Sequence, residues 1–253
     1  MPDFQTLAYE KKGNIGILQL NRPEILNAVN RKMLEELEIF LDKRHRDPDT
    51  RVLIIHGAGE KGFCSGVDIK ENSPQGNEKG LTQLYNMQIR FSGLNLKMRK
   101  IPQPIIAAVH GFAVGAGFGF FLASDIRVVT EDVRLIAPFL KLGLSGVDEG
   151  CSYFLPRLIG AGRSSEFLFT GDPIDAKTAM ELGLVSRVVS KEKLMDTAEE
   201  LAEKIAKHDS VHLRLTKEAI NTNLDAPGLE AALKIEDRNQ VLCALNHITL
   251  GKM

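Results

Sequence analysis

Short apolar runs along the chain predict buried β-strands. They are IGILQL (Ile15–Leu20), RVLIIH (51–56) and IIAAV (Ile105–Val109), and DIRVVT (125–130) resumes β character further along. Runs of about four to eight apolar residues, rich in β-branched side chains and bounded by turn residues, are typical of strands in the interior of a sheet. The pattern therefore predicts a sheet of buried strands.

Longer segments between these strands repeat apolar residues at helical spacing. They include RKMLEELEIFLDKRHRD (31–47), residues 81–98 and a helix that runs from the glycine-rich stretch through Ala123. The order of strand, strand and helix predicts an α/β fold. From about Lys191 the pattern changes to helices alone, so we divide the chain into a core, residues 1–190, and a C-terminal helical region, residues 191–253.

The charge balance gives no electrostatic basis for a nucleic-acid or membrane-surface partner. The 253 residues include 32 Lys and Arg against 33 Asp and Glu, a net charge of -1, and there is no tryptophan to form a base-stacking platform. With 43% apolar residues the chain is long enough to bury a substantial core. We expect no nucleic-acid and no membrane partner.

The N-terminal sequence and the cysteines predict a cytoplasmic location. MPDFQTLAYEKKG has no apolar signal core, and no later segment approaches the length of a membrane span. Cys64, Cys151 and Cys243 are odd in number and far apart, which suits reduced thiols rather than a disulfide framework.

The stretch GFAVGAGFG (111–119) concentrates glycine where a strand gives way to a helix. Bare backbone at that point suits a nucleotide phosphate, a carbonyl oxygen that gains negative charge, or tight packing of a helix on a strand. A dinucleotide fingerprint has the spacing G-x-G-x-x-G after the first strand. Here Gly115, Gly117 and Gly119 follow the third strand at a different spacing, which disfavours a nucleotide.

Several separate motifs, in order, resemble the enoyl-CoA hydratase/isomerase family, also called the crotonase superfamily. They are LNRPEILNAVN (20–30), GFCSGVDIKE (62–71), the long segment from PIIAAVHGFAVGAG to LKLGL (104–144) and TGDPIDAKTAMELGLVSRVV (170–189). The resemblance implies a spiral of ββα units with a C-terminal helical region that mediates a homotrimer or a hexamer. It also implies an acyl-CoA thioester substrate and no cofactor, coenzyme A being part of the substrate, and no metal.

The resemblance places an oxyanion hole on two backbone N–H groups, those of Val67 and Ala116. Gly115 and Ala116 would bind the thioester, and Val67, Asp68, Ile69 and Lys70 would line the path of coenzyme A. An N–H at a helix N-terminus favours a developing enolate through both its hydrogen bond and the helix dipole. For Lys70 the alternative is an ordinary solvated lysine.

The acid and base differ from the pattern of the hydratases in this family. The resemblance implies two glutamates there, and the corresponding positions in this chain are Gly119 and Phe139. Neither side chain transfers a proton, so hydration by two glutamates is disfavoured.

A substitute carboxylate lies in VDEGCS (147–152), which resembles the segment that carries a single acid in isomerases and dehalogenases of the superfamily. Asp148 fits by counting back from SYFLPR, with fewer gaps, and Glu149 fits by the EGCS match to 3-enoyl isomerases; we favour Asp148 by a small margin. The alternative is structural: Asp148 caps a helix and Glu149 lies in its first turn.

Other candidates are weaker. His208 and His212 are four residues apart, but no HExxH glutamate accompanies them and Asp209 begins a predicted helix, which disfavours a metal site. We interpret His110 as a partner of backbone beneath the site. Cys64 and Ser65 lack an identifiable base and are interpreted as small packing residues.

These observations predict an acyl-CoA enzyme that polarises a thioester and moves a proton, with a 3-enoyl to 2-enoyl double-bond shift as the preferred reaction. Three alternatives stay open. They are hydration by an atypical arrangement, carboxylate attack on an acyl group as in the dehalogenases and hydrolases, and a catalytically silent CoA-binding homologue.

Overall fold

The computed structural model describes residues 3–72 and 80–249. Its strands are β1 (Leu7–Lys12), β2 (Ile15–Leu20), β3 (Val52–Gly57), β4 (Gly62–Cys64), β5 (Ile105–Val109), β6 (Phe112–Val114), β7 (Ile126–Thr130), β8 (Arg134–Ile136), β9 (Ile174–Asp175) and β10 (Arg187–Val189). Its helices are α1 (Arg31–Arg44), α2 (Ile69–Asn72), α3 (Leu81–Lys100), α4 (Ala116–Ala123), α5 (Cys151–Ile159), α6 (Ala161–Thr170), α7 (Ala176–Glu181), α8 (Leu194–Ala206), α9 (Ser210–Asn223) and α10 (Leu229–Thr249).

The strands form two sheets, and from β3 to β8 successive strands belong alternately to one sheet and to the other. In the described residues one sheet has the order β1-β2-β3-β5-β7-β10 and the other the order β4-β6-β8-β9. Each pair β3–β4, β5–β6 and β7–β8 places one strand in each sheet and leads into helical chain, so the α/β spiral of repeated ββα units is confirmed. Among the described strands, β1 pairs with β2 and β8 with β9 antiparallel, and the other strand pairs are parallel.

The larger sheet is covered on both faces, as its apolar runs predict. On β3, Leu53 and Ile55 belong to the main core, whereas Val52 and Ile54 belong to a second core under α8. This alternation follows from the two-residue period of a strand. Helix α8 presents Leu194, Ala198 and Ala202, one turn apart, to that second core.

The three-residue strands of the smaller sheet were not predicted. In particular β6 intervenes between β5 and α4, where the sequence pattern predicts that the strand passes directly into the helix. A segment of three residues is too short to show a periodicity. The division at residue 190 stays a prediction.

Helix α9 is fixed to the core by a buried lysine. The side chain of Lys217 is 4% exposed, and its Nζ donates to the carbonyl oxygens of Met98 (3.0 Å) and Gln103 (2.8 Å) and lies 2.9 Å from Asp125 Oδ2. Burial lowers the pKa of Lys217, and the Asp125 carboxylate acts against that shift.

Helix α10 packs on α9, where Asn239 Nδ2 donates to the Leu215 carbonyl at 3.0 Å. It leaves a set of apolar side chains exposed: Leu229, Leu233, Val241, Leu242, Leu245 and Ile248. A trimer or hexamer would cover such a surface and stays a prediction; residues 250–253 of the predicted helical region lie outside the described residues. None of the described helices is long and apolar enough to cross a membrane.

Lys217→Met should lower the free energy of unfolding by about 3 kcal/mol, because Asp125 loses one of its buried cations and two carbonyls lose their donor. Lys234→Met is the matched control, since Lys234 pairs with Glu230 on the exposed face of α10 and should cost less than about 0.5 kcal/mol. Denaturant unfolding at fixed protein concentration measures both. Equal costs would contradict this account of how α9 is fixed.

Candidate active site

The loop after β4 is held by backbone hydrogen bonds to the segment before α1. The Val29 N–H donates to the Gly66 carbonyl at 2.8 Å, and the Asp68 N–H donates to the Val29 carbonyl at 2.9 Å. Val67 therefore lies between two fixed peptide units, in a parallel bridge with Val29. Gly66 has φ +97°, a conformation that disfavours a side chain.

This loop lies directly against the start of α4. A Cβ added at Gly66 would lie 2.9 Å from the Val114 carbonyl oxygen and 3.6 Å from the Ala116 nitrogen. A Cβ added at Gly117 would lie only 2.3 Å from the Cys64 carbonyl oxygen. Two backbones meet here without intervening side chains, which explains the glycines on both sides.

Val67 and Ala116 both lie where the loop after β4 meets the start of α4. Ala116 is the first residue of α4, and Gly115 before it provides no capping side chain. Within residues 3–72 and 80–249, neither N–H donates to another group. The Ala116 N–H is one of the free donors at the positive end of a helix dipole, as an oxyanion site requires.

Glu149 is a buried carboxyl group next to this helix. It is 3% exposed, and its φ of +53° is uncommon for a residue with a side chain. Burial raises the pKa of Glu149 to about 8, helped by the Asp148 carboxylate, while a hydrogen bond from Asn95 acts in the opposite direction. A strained backbone and a perturbed carboxyl at one residue favour a functional role.

Glu149 occupies the space that a side chain at position 119 would need. A Cβ added at Gly119 would lie 2.6 Å from Glu149 Cβ and 2.8 Å from Asn95 Nδ2. Position 119 is one turn along α4 from Ala116 and so faces the same side of the helix. Glu149 therefore packs against the side of α4 to which the Ala116 side chain also points, one turn from the first residue of the helix.

The other position implied for a hydratase acid is apolar and buried. Phe139 is 6% exposed, and its Cε1 would lie 3.8 Å from a Cβ added at Gly115. An aromatic ring, not a carboxylate, thus covers the residue that precedes Ala116.

Asp148 has a different environment from its neighbour. It is half-buried, and its Oδ1 accepts hydrogen bonds from Gln88 Nε2 at 2.6 Å and from the Glu149 N–H at 2.7 Å. Helix α5 begins at Cys151 with Gly150 as its N-cap residue, so the interpretation of Asp148 as that cap, with Glu149 in the first turn, is wrong. Asp148 instead fixes the turn that presents Glu149.

Asn95 was missed by the sequence analysis. It is 3% exposed, and its Nδ2 donates to Glu149 Oε2 at 2.8 Å and to the Glu149 carbonyl at 3.1 Å. The available signal was an amide within the apolar stripe of α3, between Leu94 and Met98. A buried amide requires a polar partner, and Glu149 is that partner.

The predicted coenzyme A segment begins in this loop and continues into α2. Asp68 Oδ2 lies 3.0 Å from Arg22 Nη1, and both side chains are 11% exposed. Ile69 and Lys70 are exposed on α2. Their contact with coenzyme A stays a prediction, as does the choice between ligand contact and solvation for Lys70; residues 73–79 lie outside the described part of the chain.

The weaker candidates lie elsewhere or are chemically unsuited. His208 precedes α9, whereas His212 lies within it and its Nε2 is 3.2 Å from the Cys243 carbonyl oxygen. Burial raises the pKa of the Cys64 thiol to about 12, which disfavours a nucleophile. Burial lowers the pKa of His110, and the Gly59 backbone acts against that shift.

Gly119→Ala should lower the free energy of unfolding by about 1–3 kcal/mol and reduce activity, since the added methyl group displaces Glu149. Gly93→Ala in α3 is the matched control, because a Cβ there meets no atom within 4 Å and should be neutral or stabilising by up to about 1 kcal/mol. Unfolding midpoints and turnover measure both. If Gly119→Ala behaves like the control, Glu149 does not occupy this space.

Comparisons with known proteins match most of this chain to one family. The family model described as enoyl-CoA hydratase/isomerase matches residues 10–247. A short-chain-enoyl-CoA hydratase from Clostridium acetobutylicum is 34% identical over 92% of this chain and 87% of its own.

Two solved structures show the same fold. An enoyl-CoA hydratase from Bacillus anthracis is 32% identical with a TM-score of 0.88, covering 98% of this chain and 97% of that one. A monofunctional enoyl CoA isomerase from M. smegmatis is 31% identical with a TM-score of 0.77, covering 90% of this chain and 98% of that one.

Proposed function

Because this chain belongs to the enoyl-CoA hydratase/isomerase family, we propose that it moves the double bond of a 3-enoyl-CoA to the 2-position. The observation that carries the proposal is the buried carboxyl of Glu149, which packs beside Gly119 one turn from the N-terminus of α4. The similarity to a solved enoyl CoA isomerase supports it.

The reaction needs one proton carrier and one oxyanion site. The Glu149 carboxylate removes a proton from C2, and the electrons spread through C2 and the C3–C4 double bond onto the thioester oxygen. The N–H groups of Val67 and Ala116 stabilise that dienolate oxygen. Protonated Glu149 then returns the proton to C4, which leaves a C2–C3 double bond and the carboxylate as it began.

The environment of Glu149 suits both halves of this cycle. A carboxyl with a pKa near the working pH accepts a proton in one step and releases it in the next. The sequence favours Asp148 by a small margin, but the geometry favours Glu149, because Asp148 is tied to Gln88 and to the backbone of the turn. Asp148 then acts by raising the pKa of Glu149.

Hydration is the second candidate, because the Clostridium relative is named as a hydratase. Phe139 beside Gly115 disfavours it, since a water at that position would have no second carboxylate to activate it. Incubation with a 3-enoyl-CoA and, separately, a 2-enoyl-CoA distinguishes the reactions by mass: isomerisation leaves the mass unchanged, and hydration adds one water. Formation of the hydrated product alone would replace the proposal.

Glu149→Gln should lower turnover of a 3-enoyl-CoA by about 100-fold or more with acyl-CoA affinity nearly unchanged, the pattern expected when a general base is lost. Asp148→Asn is the matched control and should reduce turnover much less, with a lower pKa at Glu149 because a neighbouring negative charge is removed. Steady-state kinetics and calorimetric binding measure the two effects. Full activity in both variants would exclude a single-carboxylate mechanism.

The value of kcat/KM should rise with pH and level off above a midpoint near the Glu149 pKa of about 8, because the free enzyme must carry the base in its carboxylate form. Asn95→Leu should move that midpoint upward, since the hydrogen bond from Asn95 lowers this pKa. If kcat/KM of the wild-type protein stays constant from about pH 6 to about pH 9, a range that brackets this pKa, another group acts as the base.

A further inference from the structure

The loop that carries the Val67 N–H is fixed by one buried arginine that lies outside it. Arg22 is 11% exposed at its side chain. Its Nη1 donates to the Ala28 carbonyl at 2.7 Å and to Asp68 Oδ2 at 3.0 Å, and its Nη2 donates to Glu71 Oε1 at 2.7 Å. One planar guanidinium thus joins the turn before α1 to both ends of the segment 68–71.

The partners of Arg22 are themselves part of the loop's support. Asp68 Oδ1 accepts the Glu71 N–H at 3.1 Å, and Glu71 Oε2 accepts from Asn30 Nδ2 at 2.6 Å. Asn30 Oδ1 in turn caps α1 by accepting the Met33 N–H at 2.9 Å. The network ties the peptide that follows Val67 to the start of a long core helix.

This network restrains the orientation of the Val67 N–H from the C-terminal side. The Gly66 carbonyl and the Asp68 N–H are both bonded to Val29, and the Asp68 side chain is bonded to Arg22. A displacement of about 1 Å in a group that stabilises a transition state can cost about 100-fold in rate. The rigidity of this segment therefore matters for the oxyanion.

We infer that Arg22 is a positioning residue that holds the Val67 N–H in place for the thioester oxygen through its ion pair with Asp68. Arg22 touches no reacting atom in this inference. A lysine could not replace it fully, because a single ammonium cannot present two nitrogens in a fixed plane to Asp68 and Glu71. The inference rests on the proposed function, since it assumes that Val67 contributes to an oxyanion hole.

The test compares Arg22→Met with Arg44→Met. Arg44 is the matched control: its side chain is 9% exposed, and it pairs with Asp47 and donates to Tyr9 Oη at 2.9 Å, at the end of α1 opposite Asn30. Both changes remove a buried guanidinium and leave a carboxylate behind, so both should lower stability. Only Arg22→Met should act on the oxyanion.

Two measurements separate positioning from folding. For a 3-enoyl-CoA, kcat of Arg22→Met should fall by about 10- to 100-fold with KM within about threefold, because the lost interaction matters in the transition state. The affinity for acetoacetyl-CoA, which forms an enolate, relative to butyryl-CoA, which does not, should fall by about 10-fold or more. Arg22→Lys should recover part of both effects, and Arg44→Met should change neither.

Should Arg22→Met fail to fold, Asp68→Asn against Asp47→Asn tests the same ion pair from its other side, with the same expectations. A folded Arg22→Met that keeps both kcat and the affinity ratio would overturn the inference, and so would an equal loss in Arg44→Met. The affinity ratio needs no turnover. If the wild-type protein isomerises no 3-enoyl-CoA, the proposed reaction fails, while the ratio still decides whether Arg22 positions the donor.

Discussion

The close approach of two backbones, the loop after β4 and the start of α4, is the constraint on which the site depends. The Cys64 carbonyl oxygen lies where a side chain on Gly117 would begin, and the Val114 carbonyl oxygen lies against Gly66. Side chains on those glycines would force the segments apart. The parallel pairing of β4 with β6, with its register shift between Gly62 and Cys64, brings them to this point.

Because two backbone segments meet at this contact, the rest of the fold must hold both segments in position. Within the described residues the N–H groups of Val67 and Ala116 have no protein acceptor, a state that is costly in a buried region unless a ligand or water accepts from them. Pairing in the smaller sheet fixes β4 and β6, the strands that lead into the loop and into α4. The hydrogen bonds from Val29 to both sides of Val67 fix the loop.

Glu149 is a second feature of the same region that lowers the stability of the folded protein. The folded protein retains the proton of Glu149 up to a pH of about 8, whereas an unfolded chain loses it near the ordinary value of 4.5. The native state therefore binds more protons between these two values, and the contribution of Glu149 to stability falls as the pH rises through that window. Its left-handed backbone adds strain.

The sequence contained the long elements but not the details of the site. The strands β2, β3 and β5 follow from their apolar runs, and the helices α1, α3 and α8 to α10 follow from apolar residues at helical spacing, because each element is long enough to show its pattern. The three-residue strands β4, β6 and β8 are too short to show a pattern. Val67 and Ala116 were proposed from the resemblance to a family. Residue type alone could not identify them, because every residue except proline has a backbone N–H.

Asp148 and Glu149 could not be separated by counting residues, because a single gap exchanges them. The structure differentiates them through backbone conformation and burial, properties that depend on contacts with Asn95 and Gly119 from other elements. The partners of Asn95 and Arg22 likewise could not be predicted, since a polar side chain that is largely buried shows its partner only after the chain has folded.

The most specific relation in this site is the exclusion between positions 119 and 149. The resemblance implies an acid on α4 at position 119 in hydratases, and here the space beside Gly119 is filled by Glu149 and Asn95. A side chain at position 119 would place its Cβ 2.6 Å from Glu149 Cβ, so Glu149 and its turn would have to move to admit a glutamate there. The two positions are therefore sterically linked, because the absence of a side chain at Gly119 leaves the space into which the turn that carries Glu149 packs.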